Sequence, residues 1–329
     1  MKILVTGADG FIGSHLVESL VKRNYKVRAT VLYNSLSSNG WIDTLNKETK
    51  NSLEICPGDI KDQIFTDEIT RNIDSVFHLA ALISIPYSYK SVSSFIDTNI
   101  IGTKNLLESS TKNKVKKFIH TSTSEVFGNA KTFPISEEHN THAFSPYAAT
   151  KIASDNLAMA YYKTYKTPVT ILRPFNTFGP RQSARAIIPT IITQMLNSDI
   201  VKLGNTNTKR NFNYVDDIVD AYILTLKKDL KGESINIGSR FEISIKDLVI
   251  LISKLLKKKV KIKIDKNRVR PKTSEVFRLI SSNVKAKKIL NWEPKCSNKK
   301  GFEECLKKTL EWFLDYENFK KYDPNLYKF

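Results

Sequence analysis

The stretch "VTGADGFIGSHLVESLVKRN", residues 5–24, closes a short apolar run on three spaced glycines and then opens an amphipathic segment. Each glycine has a physical task in such a turn. Gly7 permits the tight bend, Gly10 lets backbone approach a pyrophosphate, and Gly13 lets helix and strand pack closely. The free N–H groups at the helix start, around Phe11 and Ile12, then face the phosphates. A glycine-rich turn with no ligand is the plainer reading. Its position between a strand pattern and a helix pattern argues against that.

Outward from this turn, the first 175 residues alternate short apolar runs with helical patterns. The runs are "KILVTG", "KVRATVLY", "LEICPGDI", "SVFHLAA", "KKFIHTST" and "PVTILRPFN". They are rich in Val and Ile and lack polar alternation, as expected of parallel strands buried on both faces. Amphipathic segments such as "TKNLLESSTKNK" are long enough for crossover helices. The order predicts an α/β fold, a doubly wound parallel (Rossmann) sheet. After Pro174 the texture shifts to polar loops, short helices such as "AIIPTIITQMLN" and isolated strands. A smaller C-terminal α/β lobe follows from that change. Residues 1–175 with 212–238 are expected to form the dinucleotide domain, and 176–211 with 239–329 the substrate-binding lobe.

The chain of 329 residues is 41 % hydrophobic, enough for one large core plus a lobe. The final dozen residues, "NFKKYDPNLYKF", read as disordered. The run "KILVTG" is too short for a leader, and no apolar run approaches a membrane span. Cys56, Cys296 and Cys305 show no CxxC spacing and cannot all pair, so thiols in a reducing cytoplasm are expected. The net charge of +19 raises nucleic-acid binding as an option. The excess is nearly all lysine, without aromatic interleaving, so a solvated surface is the better reading. The arginines are distributed differently: eight of the eleven lie between Arg173 and Arg278.

The second strand of a dinucleotide fold normally ends in an acid that binds the adenosine ribose. Here Val31 falls near that position, and no Lys or Arg follows before Lys47 to take a 2′-phosphate. NAD is the expected cofactor, with NADP possible. Asp59, in "PGDI", either accepts from the adenine amino group or caps a turn. In "HLAA", small residues end the fourth strand where bulk would collide with a dinucleotide.

Tyr147 and Lys151, in "SPYAATK", stand four apart behind an N-cap Ser145 and a first-turn Pro146. They share a helix face, and an ammonium beside a phenol favours phenolate, which makes the Tyr a base near neutral pH. Tyr-x3-Lys pairs also arise by chance on helices. The preceding strand end "TSTSE" and the glycine turn make chance a poor account.

With "TGADGFIG", "GDI", "HLAA", "DTNIIGT", "TSTSEVFG", "PYAATK", "LRPFNTFGPR" and "RNFNYVDDIV" in hand, nearly the whole chain resembles the extended short-chain dehydrogenase/reductases, the nucleotide-sugar epimerases and dehydratases. The resemblance implies that Thr123, Tyr147 and Lys151 handle protons and that Asn99 props the active-site backbone. It implies a tightly held cofactor contacted by Gly7, Gly10, Phe11, Ile12, Gly13, Asp59, Ile60, Leu79, Ala80, Ala81, Asn99, Tyr147 and Lys151. Glu125 fits the Ser-Glu variant of the 4,6-dehydratases. There C4 oxidation acidifies the C5 proton, and a carboxylate removes it as the C6 hydroxyl leaves. Ser124 stands where many such enzymes carry Asp, which leaves protonation of that hydroxyl to Glu125 or water. Decarboxylases of UDP-glucuronate share the Thr-Ser-Glu triplet and remain the main rival, followed by C4 epimerases.

"VLYNSLSSNGWID", "AALISIPYSY" and "PFNTFGPRQSARAIIPTIITQ" resemble more narrowly the N-acetylhexosamine 4,6-dehydratases of legionaminic-acid-type surface-sugar pathways. That implies UDP-N-acetylglucosamine, or its GDP counterpart, as substrate. Its expected contacts are Ser84, Asn176, Arg181, Ile188, Pro189, Lys202, Arg210 and Arg270, the arginines suiting bidentate diphosphate recognition. Asp216 and Asp217 are expected to orient loops. A homodimer through "TNIIGTKNLLES" and "YAATKIASDNLAMAYYKTY" is expected, with neither nucleic acid nor membrane as partner and no metal.

Overall fold

Seven parallel strands form the central layer of this computed structural model, which describes residues 1–323. They are β1 (Lys2–Thr6), β2 (Lys26–Leu32), β3 (Leu53–Gly58), β4 (Ser75–His78), β5 (Lys117–Thr121), β6 (Val169–Pro174) and the edge strand Ser234–Ile237. Across the sheet the order is Ser234–Ile237, β6, β5, β4, β1, β2, β3. The chain therefore runs outward from β1 to β3 and crosses back to β4 on the other side. That reversal opens a crevice at the carboxyl ends of β1 and β4, the usual ligand position in such sheets.

The uninterrupted apolar character of the strands has a direct cause. In β1, Ile3 and Val5 belong to the core on one face and Leu4 to the core on the other, all fully buried. Burying each such side chain contributes about 1.5–3 kcal/mol. Helix α1 (Phe11–Val21) buries Leu16, Val17 and Leu20 against this sheet. A side chain at Gly13 would drive into the Gly7 backbone, so that helix start sits at glycine-only distance.

Beyond Pro174 the chain forms small sheets at the mouth of the crevice. Thr177–Phe178 pairs with Asn213–Tyr214, Ile200–Leu203 with Lys261–Ile264, and Lys209–Asn211 lies between Glu242–Ser244 and Arg278–Leu279. The helices Ile187–Asn197 and Ile245–Leu256 back them, whereas helix Val215–Thr225 returns to pack on α1. Asp217 accepts the backbone N–H groups of Lys295 and Cys296, the loop-orienting task expected of it.

Two expectations need correction. The tail is ordered as far as it is described: Tyr316–Phe319 is helical, and buried Tyr322 donates its hydroxyl proton to the Gln182 carbonyl at 2.7 Å. Trp41, Trp312 and Phe313 surround that ring, an anchor that the polar composition of the segment hides. Residues 324–329 lie outside the described residues. Cys296 and Cys305 are joined as a disulfide, leaving Cys56 free. The loop before helix Lys299–Leu314 folds back onto that helix and brings their Cα atoms to 6.6 Å. Among the described residues no helix is long and apolar enough to cross a membrane, and no cluster suits a metal ion.

Candidate active site

The crevice is built from strand ends tied to one another. Thr6 Oγ1, at the end of β1, accepts the backbone N–H groups of Leu79 and Ala80, and bonds His78 Nδ1 at 2.9 Å. His78 Nε2 reaches Thr103 at 2.9 Å, so the β4 end is held from both sides. Gly7 adopts φ +68°, and a Cβ there would lie 2.8 Å from the Ala80 backbone. Glycine is required by conformation and by space. Leu79, Ala80 and Ala81 line up after β4, and Phe11 and Ile12 sit half-buried in the first turn of α1.

Asp59 caps a turn. Its Oδ1 accepts from the Lys61 N–H at 2.9 Å and its Oδ2 pairs with Lys61 Nζ at 3.2 Å. Ile60 is buried against Gly102. β2 continues one residue beyond the expected end: Val31 is buried, and Leu32 stands at the mouth.

Asn99 lies in a wide helical turn, Ile96–Ile101, of the kind often found at functional sites. Its amide accepts from the Leu82 N–H at 2.8 Å, donates to the Leu82 carbonyl at 2.9 Å, and reaches Thr150 Oγ1 at 3.1 Å. It thereby joins the loop after β4 to the helix that carries Tyr147 and Lys151.

That helix, Pro146–Tyr165, begins under Ser145, whose side chain accepts the Ala148 N–H at 3.1 Å. The Lys151 ammonium donates to the Thr121 carbonyl at the end of β5, at 2.6 Å. Burial lowers the Lys151 pKa to about 8, with Asp155 opposing the shift. Burial also pushes the Tyr147 phenol well above its ordinary value; the Thr123 hydroxyl, which faces it, lowers it and Glu125 raises it. In the protein alone the phenol is thus a weaker acid than the Tyr-Lys spacing predicts. The lysine charge is engaged by a backbone carbonyl.

Thr123 caps the tight turn Ser124–Phe127 by accepting the Glu125 N–H at 3.2 Å. Thr123 and Glu125 line the cavity, while Ser124 is buried away from it.

The cavity encloses about 390 Å³ and extends from Tyr147 to the small sheets. Ser84, Asn176, Arg210 and Arg270, the expected substrate contacts, line it. Arg210 donates to the Val276 carbonyl at 2.7 Å, and Arg270 Nη1 stands 3.9 Å from Glu125 Oε2. The Asn176 amide nitrogen and Arg270 Nη1 are buried without a hydrogen-bond partner, which suits a polar ligand between them. Four other residues lie elsewhere. Arg181 turns to α1 and pairs with Glu18 at 2.6 Å. Ile188 and Pro189 face the core, and Ile187 and Thr190, one helical turn apart, take the cavity side. Lys202 points to solvent while its strand neighbour Leu203 faces in. Reasoning from sequence missed Glu275, Arg268, Asn205 and Thr208, which also line the cavity. Nothing local in "SEVFRL" marks Glu275, which is buried 3.9 Å from Arg210.

A doubly wound sheet, a glycine turn at its switch point and a Tyr-Lys pair over the same crevice define the extended short-chain dehydrogenase/reductase class. The family model of GDP-mannose 4,6 dehydratase matches residues 4–305, and the chain belongs to this family. The human dTDP-D-glucose 4,6-dehydratase is 31% identical over 100% of this chain and 94% of its own length. A UDP-N-acetyl-alpha-D-glucosaminuronate decarboxylase from Bacillus cytotoxicus is 34% identical, covering 96% of this chain and 99% of its own. Among solved structures, the dTDP-glucose 4,6-dehydratase DesIV of Streptomyces venezuelae, with NAD and TYD bound, superposes with a TM-score of 0.85 at 29% identity, covering 98% of this chain and 99% of that one.

Proposed function

We propose that the protein is an NAD-dependent nucleotide-sugar 4,6-dehydratase acting on UDP-N-acetylglucosamine or its GDP counterpart. The cofactor is NAD, as in the S. venezuelae structure. The residues suit it: glycine at Gly7 and Gly13 leaves a cradle that a Cβ would fill, and small residues follow β4. A bound NAD would supply the redox chemistry, taking up a hydride from C4 of the sugar and giving it back at C6. Gly7, Gly10, Phe11, Ile12, Gly13, Ile60, Leu79, Ala80 and Ala81 form its bed. Tyr147 removes the C4 hydroxyl proton, with Thr123 facing the phenol and Lys151 below it. Glu125 then takes the C5 proton and passes a proton to the C6 hydroxyl as it leaves as water, and C5 is reprotonated from solvent through Glu125 when the hydride arrives at C6. Asn176, Arg210 and Arg270 hold the sugar nucleotide.

The observation that carries this reading is Glu125 on the same cavity wall as Tyr147 and Thr123. An epimerase needs no acid there. Product mass after incubation with UDP- or GDP-N-acetylglucosamine tests it, with loss of one water expected.

One observation favours a second reading. Arg270 Nη1, beside Glu125 and without a hydrogen-bond partner, suits a C6 carboxylate as well as a phosphate, and the Bacillus cytotoxicus relative is a decarboxylase. Release of carbon dioxide from a UDP-uronate, with no turnover of the hexosamine, would establish that reading instead. A cytoplasmic homodimer completes the proposal. Ile101 and Tyr165, on the segments expected to pair, are exposed.

A further inference from the structure

The missing acid at the end of β2 leaves a question that the glycine turn answers. Neither Leu32 nor Tyr33 can accept a hydrogen bond from ribose through a carboxylate, and the first acid after them is Asp43. Asp43 is already engaged: its Oδ2 accepts the Asn39 N–H at 2.8 Å and its Oδ1 the Asn39 amide at 3.0 Å. Asp59, on the neighbouring strand, is occupied by Lys61.

Asp9, inside "TGADG", is placed differently. Its Oδ2 accepts the Leu32 N–H at 3.2 Å, which fixes the carboxylate at the carboxyl end of β2. The Trp41 N–H donates to the Asp9 carbonyl at 3.0 Å, and the Ala8 N–H donates to the Thr30 carbonyl at 3.0 Å. The loop after β2 is therefore clamped onto the glycine turn. Gly40, at φ +56°, sits so close that a Cβ would fall 2.7 Å from the Asp9 carbonyl oxygen. Asn34 holds the rest of that loop, bonding the Ser38 carbonyl at 2.8 Å and the Leu36 N–H at 3.1 Å. The loop is thus built around Asp9, and among the described residues no other side chain bonds its carboxylate.

We propose that Asp9 takes over the ribose-reading task normally given to an acid ending β2. It accepts from the adenosine ribose hydroxyls and repels a 2′-phosphate, so it sets the preference for NAD over NADP. The geometry suits this because two routes, one from the glycine turn and one from β2, deliver a carboxylate to the same place. The absence of Lys or Arg from Tyr33 to Asn46 removes any compensating cation on that loop. The inference rests on the reading of the crevice as a dinucleotide site.

The test reads bound cofactor rather than turnover. Full-length protein is incubated with equimolar NAD and NADP in excess and freed of unbound nucleotide. The retained cofactor is then extracted and quantified by mass spectrometry. Wild type should retain NAD over NADP by at least ~10-fold, the scale of one charged hydrogen bond. Asp9→Asn, which keeps an acceptor for the Leu32 N–H, should shrink that ratio by about 10-fold with an unchanged melting temperature. Adding Leu32→Asp should restore the preference, a rescue that a purely structural role would not give. An unchanged ratio in Asp9→Asn, a failed rescue, or a wild type that retains NADP equally would overturn the proposal. Retention of neither dinucleotide would overturn this inference and the dinucleotide reading together. The wild-type ratio stands as a test even where the variant does not fold.

Discussion

Lys151 and Tyr147 share a buried helix face, yet burial moves their pKa values apart: the ammonium falls to about 8 and the phenol rises. Lys151 carries its charge below that value and loses it above. Turnover should therefore decline as pH rises through about 8, read as the alkaline limb of a kcat profile. Asp155, one helical turn on, opposes the loss of that charge. It is tied to Ser122 at 2.8 Å and to Arg173 at 3.1 Å. Asp155→Asn should shift the alkaline limb to lower pH; an unmoved limb would separate Asp155 from lysine tuning. Tyr147→Phe should lower kcat by ~10²–10⁴-fold while NAD is still retained. Glu125→Gln should abolish solvent deuterium incorporation at C5, with nucleotide-sugar binding changed by no more than a few-fold. Deuterium incorporation at the wild-type level would remove Glu125 from the C5 step.

The glycine turn and the strand that follows it act as one element. Gly7→Ala forces a side chain into left-handed backbone and onto Ala80, a strain of about 1–3 kcal/mol that should appear as a lower melting temperature and weaker NAD retention. This part of the fold was legible because its demands are local. The βαβ order, the three glycines and the Ser-Pro start of the catalytic helix depend on near neighbours in sequence. The cavity wall beyond Asn176 was legible only to the nearest turn. Ile187 and Thr190 face the cavity in place of Ile188 and Pro189, and Leu203 in place of Lys202, because helix rotation and strand pleat decide orientation. Arg181 departs for a long-range reason, since Glu18 lies on α1, far away in sequence. The Tyr322 anchor and the Cys296–Cys305 pair likewise depend on tertiary contacts that no local pattern encodes.

Across the molecule, buried histidines link the fold to pH. Burial holds His15 and His120 near 4, below the ordinary value, and His78 well below it. The unfolded chain takes up protons on these residues below about pH 6.5, and the folded one does so only near 4 or lower. Stability should therefore hold above pH 6.5 and fall progressively as pH drops from 6.5 toward 4. Denaturant midpoints across that range check it, and a flat profile would contradict it. The central claim is that one cavity joins hydride exchange at C4 to water loss across C5 and C6. Its most direct test is the mass of the product formed from UDP-N-acetylglucosamine, with the GDP sugar run alongside, in deuterated water. The account predicts a sugar nucleotide lighter by one water and carrying solvent deuterium at C5. An epimer of unchanged formula, or carbon dioxide released only from a UDP-uronate, would contradict it.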